Sequence, residues 1–140
     1  MTLCILGAGA FGSAMAITFA KSSDKIILWS RSKTFAVKIE KEKKNEKYLQ
    51  NSRFPRNIEI TSCLRLAVKK ASAIIICIPA QKVHDFFYKN HLQIPNIPII
   101  LCSKGIDEKT AMLQSQIIRK FLTENEIAIL TGPSFASELA

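Results

Sequence analysis

Apolar and polar positions along this chain alternate in blocks rather than residue by residue. Short apolar, β-prone runs recur at 2–6, 25–29, 58–61, 73–78, 98–102 and 127–131. Stretches with helical spacing lie between them, near 10–22, 32–47, 62–70, 81–90 and 109–123. The runs at 74–78 and 98–102 are apolar on both faces, as strands are when helices cover both sides of a sheet. Strands alternating with helices imply βαβ units, right-handed crossovers and a parallel sheet. The segment 48–57, with Pro55 and several polar residues, reads as a loop.

The first strand runs directly into Gly7-Ala8-Gly9-Ala10-Phe11-Gly12, and the alanine-rich stretch 14–20 follows. G-x-G-x-x-G between a strand and a helix is the dinucleotide-binding fingerprint in its proper setting. Gly7 permits the tight turn, Gly9 lets a pyrophosphate approach the backbone, and Gly12 lets the helix pack closely on the strands. The free N–H groups at the start of that helix then face the phosphates. A plain β-to-α turn or a methyltransferase-type glycine loop are the alternatives this motif leaves open. Together with the block pattern it predicts an α/β fold: a Rossmann-type doubly wound, mostly parallel sheet with helices on both faces.

Composition narrows the setting. The length of 140 residues suits one domain. No apolar run reaches the roughly 20 residues that span a bilayer, and no basic segment precedes an apolar one at the start, so a cytoplasmic protein without a membrane span is expected. Four cysteines, at 4, 63, 77 and 102, form no C-x-x-C pair, and two histidines add little, so no metal site is expected. The formal charge of +9 is concentrated in residues 31–70. Glu and Lys interleave from 38 to 47 without aromatic residues, which reads as a solvated helix face rather than a nucleic-acid surface.

Ligands of a doubly wound sheet sit beyond the carboxyl ends of its strands. Ser30-Arg31-Ser32-Lys33 follows the second strand, where an NAD-preferring site would carry an acid. Asp24 precedes that strand, at its wrong end. The Arg31 guanidinium suits a 2′-phosphate, so NADPH is the preferred cofactor, with NADH use left open. Pro79 follows the fourth strand, either as a wall of the nicotinamide site or as a strand terminator. Lys104, between Ser103 and Gly105 after a buried strand, would face the crevice, where an ammonium pairs with a phosphate or polarises a carbonyl. His84 and His91 fall on or near a helix away from that crevice. Neither a Ser-His-Asp set nor a carboxylate pair supports hydrolysis.

Gly7–Gly12, Leu28-Trp29-Ser30-Arg31, Ile78-Pro79-Ala80, Ser103-Lys104-Gly105-Ile106 and the segment Thr131–Ala140 stand in order at fitting spacing. In these motifs the chain resembles the N-terminal domain of bacterial NAD(P)-dependent glycerol-3-phosphate dehydrogenases over essentially its whole length. The resemblance implies reduction of dihydroxyacetone phosphate to sn-glycerol 3-phosphate for phospholipid synthesis. It implies cofactor contacts at Ala10, Phe11, Arg31, Lys104 and Ala136, with Tyr48 as a further one, and substrate contacts at Lys104, Gly132 and Ser134. Members of that family often carry Trp or Tyr at the position of Phe11, and His or Arg at that of Arg31. They continue into a helical domain that holds a general-base lysine, so no catalytic residue is assigned within 1–140 and the base is expected beyond Ala140. A homodimer is expected of the full-length protein. The turn at 132–134 enters a helix that nothing closes, with Ser134 placed as its N-cap, so the chain is expected to be part of a longer protein. A stand-alone dinucleotide-sensing module, or a related hydroxyacid or imine reductase domain, are the alternative functions.

Overall fold

In the computed structural model, which describes residues 1–132 and 135–140, eight strands and six α-helices follow one another along the chain. They are β1 (Thr2–Leu6), α1 (Ala10–Ala20), β2 (Lys25–Trp29), α2 (Lys33–Glu42), β3 (Lys44–Asn45), β4 (Leu49–Arg53), β5 (Ile58–Thr61) and α3 (Leu64–Val68). Then come β6 (Ala73–Ile76), α4 (Ala80–Asn90), β7 (Ile99–Leu101), α5 (Gln114–Phe121), β8 (Ile127–Ile129) and α6 (Ala136–Leu139). Six strands make one sheet in the order β5-β2-β1-β6-β7-β8. Every neighbouring pair in it is parallel. Counting only these six, the order is third, second, first, fourth, fifth, sixth, the doubly wound arrangement. No helix among the described residues is long and apolar enough to cross a membrane.

Period-two alternation explains why the central strands are apolar throughout. Leu3 and Ile5 of β1, with Ala73 and Ile75 of β6, face the layer that holds α1, α2 and β4. Cys4 and Leu6, with Ile74 and Ile76, face the layer of α3, α4 and α5. Ile5, Leu6, Ile74, Ile75 and Ile76 are wholly buried, each stabilising the fold by about 1.5–3 kcal/mol over its exposed state. The order of the strands reverses between β1 and β6, and it is at the carboxyl ends of such a pair that doubly wound sheets bind their ligands.

Two elements depart from the sequence expectation. The helix expected over 32–47 stops at Glu42, because Lys43 turns left-handed at φ 50°. A small antiparallel hairpin, β3 with β4, takes the place of the helix end and of much of the expected loop. Lys43 is held in that turn from two sides: its Nζ bonds Glu40 and donates to the Ile58 carbonyl at 2.8 Å. The helix expected over 109–123 is confined to 114–121. Ahead of it Asp107 captures the hydroxyl and the N–H of Thr110, which holds the Asp107 carboxyl below its ordinary range. Asp107 thereby caps a single turn, which closes with the Ala111 N–H on the Asp107 carbonyl and stops there because Ala111 is left-handed at φ 53°. The other expected elements appear at their places with shifted ends, as helix and strand ends do.

Candidate functional site

The glycine turn lies at the head of the crevice. Gly7 sits at φ +119°, and a Cβ there would come within 2.6 Å of the Cys77 carbonyl oxygen. Gly12 is still more confined: a Cβ would lie 1.8 Å from the Gly7 oxygen and 3.2 Å from Cβ of Cys77. Loop, helix and β6 strand end therefore close on one another only without side chains at these positions. Gly9 differs, since a Cβ there would meet nothing within 4 Å. It caps α1 with extended backbone and no side-chain bond, leaving open space over free N–H groups. That surface fits a pyrophosphate.

The strand ends converge on this turn. The Gly7 N–H donates to the Trp29 carbonyl at 3.0 Å, tying the loop to the end of β2. Two residues on, Arg31 is exposed and has no ion-pair partner among the described residues. Asp24 pairs with the amino terminus at the other end of the sheet. Ala10 opens α1, and Phe11 is half-buried against the core layer that α1 covers. Ala136 packs against the same layer, and α6 is tied to α1 where Thr18 donates to the Leu139 carbonyl at 2.5 Å. Tyr48 stands on the hairpin, edge-on to Phe35 at 5.7 Å, with the Lys47 ammonium 5.0 Å from its ring centre.

Beside the glycine turn, Cys77 and Cys102 follow β6 and β7 directly, and Cys102 N–H donates to the Ile76 carbonyl, which sets the two residues side by side. The Cys77 S–H donates to Cys102, lowering the Cys102 thiol and raising that of Cys77, and the nearby Lys104 charge lowers Cys102 further. Burial pushes the Cys4 thiol up to about 12. Lys104 is exposed, and its Nζ donates to the Gly132 carbonyl at 2.7 Å. Ser103 bonds the Ile78 carbonyl. Gln81 clasps the next turn with both ends of its amide, donating to Ile106 O at 2.9 Å and accepting from the Glu108 N–H at 3.0 Å. Lys104 is thus presented by a braced loop rather than a free one. Pro79 caps α4, while His84 packs on Phe121 and Tyr88 and His91 bonds the Phe87 carbonyl. Ser134 lies outside the described residues. No group of three metal-ligating side chains occurs among the described residues.

Two supports of this site carry no local sequence signal. Asn45, whose amide donates to the Ala8 carbonyl and the Ser13 hydroxyl beside the glycine turn, lies in a stretch with helical spacing, and Gln81 on a helix surface. Their importance comes from what the fold places opposite them.

A glycine turn at the switch point of a parallel sheet in this order defines a dinucleotide-binding domain. Residues 2–140 match the family model of the NAD-dependent glycerol-3-phosphate dehydrogenase N-terminus. The chain belongs to that family. It is 34% identical over 140 residues to glycerol-3-phosphate dehydrogenase (NAD(P)+) of Chelativorans sp. strain BNC1, covering 99% of this chain and 43% of that protein. The corresponding Anaplasma phagocytophilum enzyme is 31% identical over 142 residues, covering 99% and 44%. The crystal structure of the Coxiella burnetii glycerol-3-phosphate dehydrogenase superposes with a TM-score of 0.91 at 27% identity, over 99% of this chain and 42% of that one. The chain spans less than half the length of these relatives.

Proposed function

We propose that this chain is the cofactor-binding part of an enzyme that reduces dihydroxyacetone phosphate to sn-glycerol 3-phosphate, supplying glycerophospholipid synthesis. What supports the reading is Lys104, which follows β7 at the carboxyl end of the sheet and donates to the Gly132 carbonyl. It offers one cation at the crevice for a phosphate-bearing carbonyl compound, next to a turn built for a dinucleotide. Bound nicotinamide would supply the hydride. The residues of this chain bind and orient: Gly9 and the N–H groups of Ala10 and Phe11 receive the pyrophosphate, while Lys104, Gly132 and Ser134 meet the substrate. The general base and most of the substrate pocket belong to a further domain, as the resemblance implies. General acid–base help is worth about 10²–10⁴-fold and positioning adds more. The 140-residue chain alone is therefore expected to bind cofactor weakly and to show no turnover. Steady NADPH oxidation by that chain with dihydroxyacetone phosphate would contradict the division of labour. The homodimer and the cytoplasmic setting belong to this proposal.

NADPH is the proposed preferred cofactor. Arg31 is unpaired among the described residues and lies two residues beyond the strand end that Gly7 is bonded to. In the full-length protein Arg31→Asp is expected to weaken NADPH binding about tenfold or more, by loss of a charge-assisted pair and gain of a repulsive one. NADH binding should change little. Equal losses for both cofactors in a fluorescence titration would remove Arg31 from the 2′-phosphate.

A further inference from the structure

We infer that Asn45 is a positioning residue of the glycine turn, aiming the Gly9 N–H at the pyrophosphate; the inference rests on the dinucleotide reading above. Asn45 is 1% exposed although its neighbours Glu46, Lys47 and Tyr48 are exposed. It lies at the register shift of the β3–β4 hairpin, where Lys44 faces Arg53 and Asn45 already faces Leu49. The irregular register carries its side chain to the loop rather than to solvent. There Nδ2 donates to the Ala8 carbonyl at 3.0 Å and to the Ser13 hydroxyl at 2.7 Å. A carbonyl only accepts, so the amide orientation is set by this bond.

Ala8 and Ser13 stand on the two legs of the turn, one leaving β1 and the other inside α1. Ser13 is itself fully buried, and its N–H donates to the Gly9 carbonyl at 3.0 Å. One amide group therefore spans the turn from outside and holds both legs. The consequence for the ligand follows from peptide geometry. In the planar trans Ala8–Gly9 peptide the carbonyl and the Gly9 N–H point in opposite directions. Anchoring the carbonyl on Asn45 turns the N–H away from the hairpin. That N–H has no acceptor among the described residues, and the Cα it belongs to borders open space. A phosphate donor is thus held ready before ligand arrives, which spares the ordering cost of a mobile glycine loop.

The test compares two ligands on the full-length protein, NADPH and adenosine 2′-monophosphate, which lacks the pyrophosphate. Asn45→Asp keeps the shape and replaces the donor by an oxygen that repels the Ala8 carbonyl. Calorimetric titration is expected to show NADPH affinity falling about tenfold, the usual scale when a buried hydrogen bond is removed, with the monophosphate unchanged. Ser13→Ala removes one of the two anchors and is expected to lower the same NADPH-to-monophosphate ratio about two- to threefold, on the scale of one neutral hydrogen bond. It carries the test if Asn45→Asp does not fold. Equal loss for both ligands, or an unchanged ratio in the folded variants, overturns the positioning role. Failure of the unsubstituted protein to bind NADPH or NADH instead overturns the dinucleotide reading itself.

Discussion

Gly12→Ala is expected to destabilise the full-length protein by about 1–3 kcal/mol, the scale of an overpacked interior, and to reduce dinucleotide affinity at least tenfold. The added Cβ would sit 1.8 Å from the Gly7 oxygen, and neither atom has room to move. The oxygen belongs to a residue whose N–H is bonded to β2, and Cys77 of the neighbouring strand end stands behind it. Relief requires the first turn of α1 to lift from the sheet, which displaces the N–H groups offered to the phosphates. Gly9→Ala separates the two effects. Its Cβ would meet nothing within 4 Å, and its φ of −76° suits any residue. Stability should be unchanged while affinity falls, because the methyl group would stand where the pyrophosphate approaches. Denaturant unfolding and cofactor titration on both variants give the comparison. Full affinity in Gly9→Ala would show that no phosphate lies over that position.

Lys104→Ala carries the second large effect. In the full-length enzyme kcat/KM for dihydroxyacetone phosphate is expected to fall about a hundredfold or more, as when one positioned electrostatic group is removed from an active site. Stability should hardly change. The side chain is exposed, and its single bond, to the Gly132 carbonyl, lies at the surface. A loss spread over both substrate and cofactor affinity would place Nζ between the two ligands, as the resemblance implies. Activity within threefold of the parent would remove Lys104 from the substrate site. Gln81 bears on the outcome, since it braces the segment that follows Lys104 from both ends of one amide.

Sequence and structure agree where one-dimensional pattern and local chemistry suffice. The runs at 74–78 and 98–102 announce buried parallel strands because both faces are apolar, and β6 and β7 lie inside the sheet with parallel neighbours on both sides. The glycine spacing announces the turn because Gly7 and Gly12 face backbone at distances no Cβ tolerates. Asp24 is legible as a residue at the wrong end of its strand, and it pairs there with the amino terminus. The hairpin at 44–53 is not legible. Residues 38–47 have good helical spacing and alternating charges, yet Lys43 leaves the helix because Glu40 and the Ile58 carbonyl, the latter distant along the chain, hold its ammonium.

Pattern alone thus dictates the α/β order, the helix-capping glycine turn and the strand ends that bear Arg31 and Lys104. Each depends on residues within one or two elements, where periodicity and backbone sterics act locally. Packing decided the rest: where α2 stops, which polar residue enters the interior, and what braces each loop. Asn45 faces Ala8 and Ser13 across more than thirty residues of chain, a partnership created only when the hairpin folds onto the turn.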